Sequence, residues 1–183
     1  MSIPTLIKTL TASDDASLSF VDGTASVVLD STYDEYWFVL TNIGPETDSV
    51  NFLFNGSIDS GSNYNVTKTT TSFAAQNSEQ DENPQVAYST GNDLAQGTGF
   101  QMIASGAGND ADQSINGILK LFTPANTTYV KHFMGTFNWN QENNYSMNTY
   151  IAGYFNTTSA IDAIQFKTSS DNFDGVIQMY GVA

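Results

Sequence analysis

One histidine, His132, and no cysteine limit the acid–base and nucleophilic chemistry open to this chain. Any imidazole-dependent mechanism must use His132, whose strand neighbours Lys131 and Phe133 point the opposite way while Val130 and Met134 share its face. No Gly-x-Ser-x-Gly nucleophile elbow accompanies it, so it reads as a packed or interfacial residue. Eleven of the 19 carboxylates fall in small groups: Asp14/Asp15, Asp34/Glu35, Glu79/Asp81/Glu82, Asp110/Asp112 and Asp171/Asp174. Two of them facing each other across a cleft could serve as the acid and base of a glycosidase, but adjacency in sequence does not create that separation. They read as solvated loop charge. Asn109-Asp110-Ala111-Asp112 offers oxygen ligands for calcium yet lacks the twelve-residue loop with its terminal Glu. The Gly97-Thr98-Gly99 and Gly106-Ala107-Gly108 stretches have no Gly-Lys-Ser/Thr and no following helix to cradle phosphate, and read as hairpin turns or bulges. No cofactor or metal is expected.

Tyr150 and Tyr154 fall on one strand face with Asn148 and Asn156. Aromatic rings flanked by amides can stack on sugar rings, and tyrosine is equally suited to a protein interface. They are the candidate interface or glycan contacts, against the alternative of plain core packing.

The elements that hold these groups read as strands. In 33–41, Tyr36, Phe38 and Leu40 lie on one side and Trp37 and Val39 on the other, the pattern of a central strand buried on both faces. In 129–139, Tyr129, Phe133, Phe137 and Trp139 alternate with a mixed face. Strand character recurs at 5–11, 16–21, 49–55, 64–73, 85–89, 98–104, 115–123, 147–156, 161–168 and 174–182, separated by Gly/Asn/Asp/Ser clusters. No window sustains helical periodicity with caps. Stretches 74–84 and 105–114 read as exposed loops. The expectation is an all-β, single-domain, two-sheet β-sandwich of jelly-roll type over residues 1–183, since no propeller-length repeat is visible.

The charge balance, 5 Lys+Arg against 19 Asp+Glu in 183 residues for a net −14, argues against a nucleic-acid binder, which needs cations to displace phosphate counterions. The same sign argues against anionic membrane surfaces. Absence of cysteine removes disulfides and thiolate chemistry. The opening residues show no basic region followed by an apolar run, so no secretory signal is read, and Asn-x-Ser/Thr triplets such as those at Asn55, Asn65, Asn126 and Asn156 are expected to be unmodified.

Three stretches carry a resemblance. Leu6 to Phe20 (LIKTLTASDDASLSF), Ser31 to Asp48 (STYDEYWFVLTNIGPETD) and Ile161 to Val182 (IDAIQFKTSSDNFDGVIQMYGV) resemble, in that order, a family of virion structural proteins of tailed bacteriophages. The resemblance implies a jelly-roll-like particle component, assembled in the host cytoplasm into the virion, with no enzymatic role and no catalytic residues to carry over. Lacking heptads or shaft repeats, the chain fits a capsid decoration (cement) protein on the outer particle surface, held to the major capsid protein or other virion proteins, better than a long fibre. A homotrimer is expected by analogy with other virion sandwiches. The alternative is a tail-fibre or tail-tip receptor-binding module that takes carbohydrate.

Overall fold

The computed structural model describes residues 3–183; Met1 and Ser2 of the expected domain lie outside the described residues. Twelve strands and no helix follow along the described chain: β1 (Thr5–Asp15), β2 (Ser17–Val21), β3 (Glu35–Pro45), β4 (Val50–Ser57), β5 (Lys68–Ser78), β6 (Gln85–Tyr88), β7 (Gln101–Ala107), β8 (Ile115–Phe122), β9 (Lys131–Gln141), β10 (Tyr145–Phe155), β11 (Ala163–Thr168) and β12 (Phe173–Val182). Each segment expected to be a strand overlaps one. The protein is all-β.

The strands form one antiparallel sheet. Its hydrogen-bonded path runs β1-β12-β3-β8-β9-β7-β4-β11-β2, and β10, β5 and β6 branch outward from β9. Strands β7 and β9 meet at one residue pair, Ala107 with Gln141. Because β1 passes into β2 after the single residue Ala16, the sheet curls round into a nearly closed, barrel-like wrap. Gly106, at φ 74°, makes the bulge that lets β7 turn toward β9.

Aromatic residues from opposite parts of the wrap fill its interior. Phe20 of β2 meets Phe38 of β3 with ring centroids 5.3 Å apart, and Phe54 of β4 meets Phe133 of β9 at 5.2 Å. Phe166 of β11 lies among Phe20, Phe38, Phe52 and Phe54 at 5.6–6.5 Å. Aromatic pairs of this kind, edge-to-face, tilted or offset-stacked, contribute about 0.5–1.5 kcal/mol each beyond their burial.

Several local expectations are corrected. In β3, Tyr36, Phe38 and Leu40 are buried, but Trp37 and Val39 are only half-buried. The second face is covered by a long side chain instead of another layer: Lys120 Nζ lies 4.2 Å from the Trp37 ring centroid, and Trp37 Nε1 donates to Glu35 Oε2 at 2.8 Å. Tyr129 precedes β9 and is exposed, and the inward position at that end belongs to Lys131. Residues 74–78 are strand, because β5 pairs with β10 as far as Ser78 with Tyr145. Stretch 105–114 likewise begins in β7.

The motifs of the opening third and of the C-terminal segment meet at one corner. Tyr36 pairs with Gly181, and Thr5 pairs with Gly181 from the other side. A Cβ on Gly181 would run into the Tyr33 ring, which in turn stands edge-on to Tyr36 at 5.8 Å. Glycine is required there by close approach. The Tyr36 hydroxyl donates to the Asp30 carbonyl at 3.0 Å, and burial pushes its phenol up to about 12.

Candidate functional site

Cross-strand register determines what the outer face of β5, β10, β9 and β8 presents. One row across it reads Phe73, Tyr150, Thr136, Ile118. The adjacent rows read Thr71, Ala152, Met134, Lys120 and Ala75, Asn148, Asn138, Asn116. Large side chains thus stand on β5/β10 and at Lys120 over Trp37, while Thr136 and Ala152 between them are small. The result is an open groove of about 730 Å³. Phe73 and Tyr150 stack face to face at 4.8 Å and 9°, so the pair forms one wall. Parallel stacking covers one face of Tyr150 with Phe73 and turns the other toward β9. Asn148 Nδ2 donates to the Tyr150 hydroxyl at 2.9 Å, fixing the ring, and Asn138 Nδ2 donates to the Met147 carbonyl at 2.9 Å.

Inside, the Phe137 ring lies where side chains on Gly117 and Gly135 would point, approaching within 2.6 and 2.5 Å of an ideal Cβ at each. The groove floor is the backbone of β8 and β9, with Thr136 and Ile118 standing on it and the Phe137 ring behind it. Glycine at 117 and 135 is what that packing requires, since even a methyl group would clash.

Tyr154 shares the outer face with Tyr150, as alternation requires, but lies in a separate recess of about 320 Å³ with Thr69, Phe122 and His132. Its ring stands 5.8 Å from that of His132, which is exposed. Met134, Ala152 and Thr71 border both recesses. Asn156 has left the strand and ties two loops together, donating to Gln96 Oε1 at 2.8 Å.

The acidic groups gather elsewhere. Asp14, Glu46, Asp171 and Asp174 converge at one end of the wrap, where burial, followed by the repulsion of Asp14, Asp171 and Asp174, holds the Glu46 carboxyl above its ordinary range. Their oxygens serve the chain's own turns: Asp174 accepts from Asp14 N at 2.8 Å, Asp14 from Asn172 Nδ2 at 2.6 Å, and Asp171 from the Thr47 hydroxyl. Among the described residues, no three His, Cys, Asp or Glu side chains are placed to hold a metal.

Within the wrap lies a polar seam that sequence reading did not anticipate. Lys68 and Lys131 are fully buried and flank Phe155, their common pairing partner. Lys68 Nζ donates to the carbonyls of Val66 at 3.0 Å and Gly99 at 2.7 Å. Lys131 Nζ donates to those of Tyr129 at 2.8 Å and Thr157 at 3.3 Å. Burial lowers both amines, Lys68 to about 8. Beside them, the Thr70 hydroxyl donates to Gln101 Oε1 at 2.7 Å, and Gln101 Nε2 to the Asn92 carbonyl at 2.8 Å, pinning the 89–99 segment.

The chain matches no protein-family model, no curated protein and no solved structure. Its site must be read from its own geometry.

Sequence reading found Tyr150 and Asn148 but not Phe73, Asn116, Asn138 or Lys120. Phe73 reaches Tyr150 only through the pairing of β5 with β10, strands far apart along the chain. The detectable signal was the outward set of β9, where Met134, Thr136 and Asn138 alternate with the core aromatics.

Proposed function

We propose that the protein is a structural component of a bacteriophage particle, acting by contact and without catalysis, and that its wrap is a jelly-roll-like two-layer sandwich. In this reading it is a capsid decoration protein on the outer surface, seated on the major capsid protein or another virion protein, and trimeric. The resemblance of Leu6–Phe20, Ser31–Asp48 and Ile161–Val182 motivates it. The observation that carries it is the edge strand β6. All four residues of β6 are exposed, Val86 at 72% and Tyr88 at 51%, and β6 pairs only with β5. Four residues long and preceded by Pro84, the edge is short, yet it leaves Val86 and Tyr88 uncovered. An apolar, open edge suits a chain whose partner covers it in an assembly. The net charge of −14 suits the outside of a DNA-filled shell, where like charge keeps it from the genome.

The test is an inventory of purified particles by mass spectrometry, with the protein located in a map of the intact particle. Val86→Lys should reduce its occupancy on particles and the trimer fraction in native mass spectrometry. Particles that lack the protein would overturn the reading.

A second reading, a tail-tip receptor-binding module, is favoured by the groove beside Tyr150. Labelling concentrated at the tail, with the capsid bare, would select it.

A further inference from the structure

We infer that the groove between Tyr150 and Lys120 binds pyranose rings of a neutral polysaccharide. The inference deepens the receptor-binding reading and rests on its premise that this face meets a ligand, whether the protein sits on tail or capsid.

Three observations select this occupant. The first is charge. In a chain with 19 Asp+Glu, the groove lining contains no carboxylate and one cation, Lys120. That ammonium lies over Trp37, whose indole nitrogen is held by Glu35. The groove is thus a neutral window on a chain of net charge −14, so a polyanion has one cation to pair with and is repelled by the protein as a whole. The second is the mixture of surfaces. Tyr150 offers an aromatic face, the kind that packs on the C–H face of a pyranose. Asn138 and Asn148 use their amide nitrogens within the protein, leaving their side-chain oxygens free to accept from hydroxyls, and Thr136 adds a hydroxyl on the floor. Aromatic walls with a few fixed polar groups are the usual makeup of a small-molecule site. The third is width. Two strand spacings separate β10 from β8, about 9.5 Å. A single ring stacked on Tyr150 at the ~4 Å contact distance fits between Tyr150 and Ile118.

A peptide is the poorer occupant. The strands under the groove are interior to the sheet, β9 between β8 and β10 and β10 between β9 and β5. Their backbone groups are committed to neighbours, so a peptide could not add as a strand.

The test uses the full chain and soluble hexasaccharides of glucose, mannose, galactose and xylose, with hexagalacturonate as the anionic arm, followed by calorimetry and by Trp fluorescence. At least one neutral hexasaccharide should bind at millimolar concentration or below. Tyr150→Ala should weaken it at least tenfold, and Thr136→Trp, an exposed strand position that tolerates a large side chain, should abolish it. Tyr154→Ala should change it less than twofold. Circular dichroism and the unfolding midpoint identify any variant that fails to fold, and Tyr150→Phe, which retains the ring, should keep most of the affinity. Binding of no neutral hexasaccharide overturns the inference, as does binding of hexagalacturonate alone or an equal loss with Tyr154→Ala. Self-association of the wild type that Thr136→Trp removes would assign the groove to a second copy instead. Sugar binding by a protein absent from particles would sink the virion reading and leave this one standing. Particles that carry a protein blind to every sugar would do the reverse.

Discussion

Replacing Lys68 by Met removes an ammonium that the fold keeps out of water. Burial lowers the Lys68 amine from 10.5 to about 8, and each tenfold loss of proton affinity corresponds to about 1.4 kcal/mol. Below pH 8 both the folded and unfolded chains hold the proton, and the burial penalty of about 3 kcal/mol is present in full. Between pH 8 and 10.5 the folded chain releases its proton while the unfolded chain keeps it, so stability rises with pH. Integrated from pH 7 to 9.5, the gain is about 2 kcal/mol. Neutral lysine retains N–H groups, so the bonds to the Val66 and Gly99 carbonyls survive deprotonation. Tyr36 opposes this trend only above pH 10, because its folded value lies near 12. Urea unfolding followed by Trp fluorescence at pH 7 and pH 9.5 measures the effect as the difference between wild type and Lys68→Met. The wild type should gain about 2 kcal/mol on the variant, equivalent to an unfolding temperature about 4–8 °C higher. Lys131→Met should flatten the profile further, since burial lowers that amine in the same direction. Parallel pH profiles for wild type and Lys68→Met would refute the reasoning and mean that water reaches the Lys68 amine.

Other perturbations test the packing. Phe166→Ala removes the ring common to four aromatic contacts and should cost about 3–5 kcal/mol in urea unfolding. Gly181→Ala drives a methyl into the Tyr33 ring and should cost about 1–3 kcal/mol. Adding Tyr33→Ala should recover part of that loss, a coupling a double-mutant cycle reads directly. Glu46→Gln should raise the thermal midpoint at pH 7, because desolvation and then the neighbouring Asp14, Asp171 and Asp174 hold its carboxyl above the ordinary range. The gain should vanish as pH falls below the ordinary carboxylate range, where Glu46 takes up its proton.

Strand positions were legible because alternation and β-branched runs are local properties. The outward set of β9 and the inward set at Tyr36, Phe38 and Leu40 could be assigned without knowing any partner. Burial of Trp37 could not, since its cover is Lys120 of β8, a residue that hydropathy places in water. The inward turn of Lys131 followed from the alternation, but full burial of an ammonium depended on carbonyls from two loops. The candidate site was half visible for a related reason. Tyr150 was conspicuous as an aromatic on a polar strand face, whereas its stacked companion Phe73 is set by long-range register. Tyr154 looked equivalent by periodicity but lies in a separate recess, divided from the groove along the row Thr71, Ala152 and Met134, a division that cross-strand register sets.

The pairing of β1 with β12 in antiparallel register, Thr5 beside Gly181, has a mechanical corollary. Polypeptide entering at Thr5 and polypeptide leaving at Val182 emerge from the same corner, so tension between them peels the two strands apart one bond at a time. Load arriving across the sheet face meets whole ladders in shear instead. The molecule should therefore yield softly when stretched by its ends and resist stiffly when squeezed or dragged through its sides.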